Sequence, residues 1–248
     1  MTAITGGGFA PSTNTDRNAF LWVTGLVWVA IISGFGFDSF EHVRKHGLDY
    51  PPIVHVHAVV FSAWLVLFTV QIWLIRDGRA ALHRRLGIAG AALAAAMVAL
   101  GAATAIVVDA HNFATTGRPP NNLALQLSDV AAFAGLTGAG LWLRRDPSSH
   151  KRLMLLGLLY ISNTGFARLI DMPFAAPFGD SLAARAIGLF LGSNLLIVAV
   201  GAYDLATRRR LHPAYVTGVA GVLALEVAAL VLPSVPAWQA LAMKMIGH

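Results

Sequence analysis

Apolar residues fall in long runs along this chain, and not in the one-sided stripe of a soluble helix. Seven runs reach the roughly 20 residues that a helix needs to cross a bilayer: 19–37, 53–75, 86–108, 123–143, 153–172, 182–205 and 214–232. The pattern predicts an all-α, polytopic membrane helix bundle forming a single membrane domain over 1–248. Pro51 and Pro52 suit the first turn of the second span, where a missing N–H costs nothing. Residues 1–17 are polar and lack a basic n-region, and no A-x-A site follows the first run. They are therefore not read as a cleaved signal peptide. Between the first two spans, DSFEHVRKHG reads as a separate short helix at the outer surface. Asp38 with Glu41 resembles a capping box there, and Gly47 a C-cap.

Composition narrows the class further. Hydrophobic residues make up 56% of the 248 and charged residues 12%, against about 25% charged in soluble domains. Mean hydropathy is +0.66. A soluble globular enzyme, a disordered chain and a free nucleic-acid binder are excluded. The net charge of +6 arises from clusters between the apolar runs, which read as topology signals. Arg76, Arg79, Arg84 and Arg85 follow span two. Arg144, Arg145, Lys151 and Arg152 follow span four, and Arg208, Arg209 and Arg210 follow span six. The alternate loops hold only Arg44 and Lys45, then Arg118, then Arg185. Basic loops face the cytoplasm. The expected protein lies in a bacterial cytoplasmic (inner) membrane, with its N-terminus inside and its C-terminus outside. The absence of cysteine excludes disulfides, thiolate metal sites, iron–sulfur clusters and covalently attached haem. Nine histidines and twelve carboxylates remain as ligands.

Two basic loops resemble each other. Residues 73–86 read WLIRDGRAALHRRL and residues 142–153 read WLRRDPSSHKRL. Both run Trp-Leu-x-Arg-Asp, a spacer, then His-[Arg/Lys]-Arg-Leu. YDLATRRRLHP at 203–213 is a weaker echo. The simplest account is tandem helical hairpins, spans 2–3, 4–5 and 6–7, after one extra helix. Gly87, Ala91, Ala95 and Ala99 recur at every fourth position of span three, a close-packing signal in lipid.

The repeat sets His83 and His150 at equivalent depths near the cytoplasmic ends of spans three and five. Two facing imidazoles in a helical bundle suit the axial positions of b-type haem. Arg84 and Arg152, beside Arg85 and Lys151, are candidate propionate partners. The electrostatic alternative is that these basic ends set topology or bind anionic lipid headgroups. An outer transition-metal site is a second possibility, drawn from His42, His46, His55, His57 and His111 with Asp109. Ionisable and polar groups inside spans are costly and default to functional or pairing roles. They are Gln71, Asp129, Arg168, Asn194 and Glu226. Asp129 and Arg168 both sit in the outer half and read as an ion pair holding one hairpin together.

The run HVHAVVFSAWLVLFTVQIWLIRDGRAALHRRLG at 55–87, with HKRLMLL at 150–156, resembles a family of uncharacterised bacterial multi-span membrane proteins. The matching positions are His55, His57, Trp64, Gln71, Arg79, His83, Arg84, Leu86, Gly87, His150, Lys151, Arg152 and Arg168. A more distant likeness is to transmembrane ferric reductases of the di-haem cytochrome b type. It implies paired histidines on a four-helix core, although here the outer pair is incomplete.

Three functional readings follow. The first is a redox protein that binds haem b or a transition metal through histidine. The second is a small-molecule or lipid transporter with a cavity lined by Asp129, Arg168, Asn194 and Glu226. The third is a cofactor-free accessory or assembly subunit whose apolar faces meet partners in a membrane complex. No nucleotide loop, nucleophile elbow or H-E-x-x-H motif is present, so enzyme status stays open.

Overall fold

The computed structural model describes the backbone of residues 14–179 and 181–248, with side chains for 18–45, 47–169, 174–179 and 181–248. The polar N-terminal stretch to residue 13 and the His46 side chain lie outside the described residues. The described chain is helical throughout, with no strand. Its helices are α1 (Asn14–His46), α2 (Pro52–Arg76), α3 (Ala80–Thr116), α4 (Leu123–Trp142) and α5 (Pro147–Ile161). They continue with α6 (Asn163–Phe166), α7 (Met172–Ala175), α8 (Leu182–Arg208), α9 (Pro213–Val231) and α10 (Pro236–Met245). Five helical stretches are long and apolar enough to cross a membrane: 18–45, 52–76, 80–116, 182–208 and 213–234.

Local chemistry sets several boundaries. Pro52 opens α2 and Pro213 opens α9, each in the first turn. The Asp146 side chain accepts from the Ser148 N–H at 3.0 Å and caps α5. The hydrogen bond from the Ser149 hydroxyl holds the Asp146 carboxyl below its ordinary range. Gly117 ends α3 in the left-handed region, at φ 68°.

The structure departs from the sequence reading at three places. The expected separate helix over 38–46 is the last part of α1, which runs unbroken to His46 and ends at Gly47, φ 75°. Asp38 and Glu41 form no capping box, because no helix starts there. Asp38 pairs with Arg168 and Glu41 with Arg44 and Lys45. The fifth apolar run is not one helix. α5 stops at Ile161, Ser162 is a turn, and a π-helical turn over Ala167–Asp171 separates α6 from α7. The third departure is α10, a short helix that the apolar runs did not predict.

The core lies where α2, α3, α4, α5, α8 and α9 meet, around Trp64, Met97, Phe133, Leu156, Phe190 and Val222. Trp64 and Phe133 meet edge to face at 5.2 Å. Small residues set the helix spacing. A Cβ on Gly218 would meet Leu156 and Leu136, and one on Gly157 would meet Thr137. α9 therefore seats against both α4 and α5. α1 reaches the bundle through Gly34 and Gly165, whose backbones touch.

Candidate functional site

The repeated loops end in the same way. His83 is the fourth residue of α3 and His150 the fourth residue of α5. The structure brings the two imidazoles together, with ring centroids 6.2 Å apart and planes at 78°. One nitrogen of the His150 ring is held by a backbone carbonyl. His150 Nδ1 bonds the Gly140 carbonyl oxygen at 2.8 Å, and His83 lies near the backbone of Gln71. His83 Nδ1 is buried with no hydrogen-bond partner. An imidazole anchored at one nitrogen and open at the other is the second-shell pattern of a ligating histidine. Gln71, half-buried on α2, lies beside this pair. Gly87 leaves room for its side chain, and its Oε1 is an orphaned buried acceptor.

The flanking basic residues divide. Arg84 is exposed at the start of α3. Arg152 is not turned toward the imidazoles but locked into the bundle, 2% exposed. Its Nε and Nη2 bond both carboxylate oxygens of Asp204 at 2.6 and 2.7 Å. Its Nη1 reaches the Ser148 carbonyl and hydroxyl. Arg208 Nη1 adds a third bond to Asp204 at 3.1 Å. Most of Arg152's donors are spent within the fold, so it does not fit the expected propionate role. Asp204, near the end of the sixth apolar run, was missed because its partner on α5 is 52 residues away in sequence. Next to this network, His212 accepts the Ala214 N–H at 3.2 Å and caps α9. Burial, and after it the Arg152 charge, pushes the His212 pKa down.

The outer histidines do not assemble. Among the described residues, no three His, Cys, Asp or Glu side chains converge on a metal position. His42 bonds Asp49 at 2.6 Å and stacks on Tyr50, and His55 meets the edge of the same ring. His57 is stacked on Phe61 inside the bundle at 3.8 Å. His111 is exposed near the end of α3, one turn from its first carbonyl-bonded threonine, Thr115. Asp109 is buried with Oδ2 unpartnered. The described members of the expected outer metal site do not come together, since they lie on three different helices.

The expected Asp129–Arg168 ion pair is not formed. The break after Ile161 and the π turn direct Arg168 to α1. There its Nε lies 3.2 Å from Asp38 Oδ2 and its guanidinium covers Phe35 at 4.5 Å. Asp129 is buried inside the bundle, within electrostatic reach of Glu226. Glu226 accepts from Asn194 Nδ2 at 3.1 Å.

No family model, curated protein or solved structure matches the chain.

Proposed function

We propose that this is a seven-span protein of a bacterial inner membrane and that His83 and His150 are the axial ligands of a b-type haem near its cytoplasmic side. The observation that carries this reading is the pair itself. Two imidazoles from equivalent helix positions meet edge to face, with that of His150 anchored by the Gly140 carbonyl. Haem would supply one-electron redox chemistry there. The chain's part is to orient His150 through Gly140 and to hold the two half-buried rings together at one end of the bundle. Arg84 is the basic residue left to meet a propionate, since Arg152 is committed to Asp204.

Two further features support seven spans. α4 has 20 residues, about 30 Å at 1.5 Å per residue. The broken segment from Pro147 to Ala175 is long enough to cross with α5 as its inner half. With these two added to the five apolar helices, the basic loops all fall on one side, which supports the cytoplasmic assignment. Those loops would contact anionic lipid headgroups.

The test is an oxidised-minus-reduced absorption spectrum of detergent-purified protein, with metal analysis on the same sample. A b-type spectrum is expected, lost in both His83→Ala and His150→Ala. A colourless protein reconstituted with haem yet showing no spectral shift would sink the redox reading. A spectrum that survives both substitutions would sink the ligand assignment.

A further inference from the structure

A second polar group crosses the bundle interior, about 16 Å along α4 from the Gly140 carbonyl that anchors His150. It draws on Asp129 of α4, Tyr160 of α5, Asn163 of α6, Ser193 and Asn194 of α8, and Glu226 of α9. Contacts between the helices set their heights. Gly157 meets Thr137, Gly218 meets Leu136 and Leu156, and Gly201 meets Tyr215. Those registers set residue 226 level with 128–129 and about 164–165, with Tyr160 about one turn away, and the Asn194–Glu226 hydrogen bond brings Asn194 to the same layer. Tyr160 and Asn163 are fully buried, Asp129 is 5% exposed and Glu226 is 6% exposed.

Hydrogen bonds satisfy only part of this layer. Asn194 donates to one oxygen of Glu226, and Ser193 Oγ donates to Asn163 Oδ1 at 2.7 Å. Asp129 Oδ1, Glu226 Oε1, the Tyr160 hydroxyl and Asn163 Nδ2 are buried without partners. The Tyr160 hydroxyl is the independent sign of a ligand. It is inaccessible, unpartnered, and within the electrostatic influence of both Asp129 and Glu226. Buried polar atoms are normally paired, so a cluster of orphans marks a place where something else binds.

The backbone also changes here. The chain leaves α-helical geometry at Ser162 and passes into a π turn five residues later. Interrupted membrane helices at this depth free backbone groups for ions, and π turns recur at functional sites. The donor set is oxygen and amide, with no imidazole or sulfur, which suits a hard cation. The titratable groups facing the layer are Asp129 from α4, Tyr160 from α5 and Glu226 from α9. α6 and α8 add only the neutral Asn163, Ser193 and Asn194. Arg168, the basic residue of the broken span, is turned out to Asp38. Two neighbouring carboxylates in low dielectric do not both ionise without a counter-charge.

We propose that Asp129 and Glu226, with the Tyr160 hydroxyl and Asn194, form an intramembrane site for a hard monovalent cation of the sodium class, taken up in exchange for one carboxyl proton. The exchange balances. One proton leaves the pair, one cation enters, and the site's net charge is unchanged.

The test uses the full-length protein in detergent. Radiolabelled sodium binding is measured against a choline background, together with proton release on adding sodium to a weakly buffered sample. Saturable binding of one ion per chain is expected, with one proton released per ion. Affinity should fall about tenfold per unit drop in pH, as one-for-one exchange requires. Asp129→Asn and Glu226→Gln, which keep side-chain shape, should each abolish it. Absence of saturable binding by folded wild-type protein overturns the proposal, as does binding independent of pH. Binding that persists in both folded variants overturns it too. If a variant fails to fold, the wild-type pH dependence and proton count still decide. None of these readouts involves His83 or His150, so this site stands or falls separately from the haem reading.

Discussion

Arg152 and Asp204 meet across 52 residues of sequence, guanidinium to carboxylate through two hydrogen bonds, with both side chains almost wholly buried. The pair ties the start of α5 to the end of α8, and Arg208 joins it from one turn further along α8. A bidentate pair of this kind has fixed geometry as well as charge. Its removal by halves is costly because the remaining charge stays buried.

Arg152→Ala or Asp204→Ala should therefore destabilise the protein by about 3–5 kcal/mol. The paired replacement Arg152→Met with Asp204→Leu should recover much of that loss, since no charge is left stranded. Unfolding in mixed micelles would measure both. Equal losses in the single and paired variants would show that the ions are not what holds these helices together.

His212 predicts a pH dependence. Burial, followed by the nearby Arg152 charge, holds its pKa below the ordinary 6.5. The unfolded chain thus binds this proton at a higher pH than the folded one does. Stability should be complete above about pH 6.5 and decline as the pH falls below it. His212→Asn keeps a side-chain cap for α9 and removes the titration. Its melting temperature should vary less than wild type between about pH 7.5 and 5.5, across the histidine range.

Gly34 predicts a packing limit. A Cβ built there would collide with the Gly165 carbonyl oxygen, a backbone atom that cannot rotate away. Gly34→Ala should separate α1 from the broken span at a cost of about 1–3 kcal/mol, the range for overpacking. Gly25 lies on the same helix with open space at its Cβ. Gly25→Ala should leave stability unchanged or slightly raised, which makes it the matched control in the same melt.

Orientation is testable because the chain has no cysteine to remove first. Arg144→Cys and Thr116→Cys place single thiols at exposed positions on opposite ends of the α3–α4 region. In intact cells, a membrane-impermeant maleimide should label the second and not the first. The reverse result would invert the topology read from the basic loops.

Much of the helical scaffold was legible in the chain. The apolar runs locate α2, α4, α8 and α9 to within a few residues, because a span must satisfy its backbone internally and bury no charge. Pro52 marks the start of α2 and Gly47 the end of α1 through backbone chemistry that acts locally. The loop repeat was also legible. It directs attention to His83 and His150, which the structure then brings into contact.

The interruption of the fifth apolar run was not legible. LMLLGLLYISNTGFARLI reads as one apolar run, and hydropathy carries no record of a turn at Ser162. Pairings between distant elements were hidden for the same reason. Asp129 and Arg168 share a depth by residue counting, yet the π turn sends Arg168 to Asp38 on α1. Asp204 lies within the sixth apolar run, where nothing local points to the Arg152 that α5 supplies.

The sequence by itself determined that this chain is apolar, helical and rich in candidate spans, because those properties follow from local composition and from the length of its apolar runs. Only the tertiary structure decided which buried charges neutralise one another and which stay open. That depends on helix register, which glycine contacts such as Gly157 with Thr137 and Gly218 with Leu136 set by letting one backbone approach its neighbour.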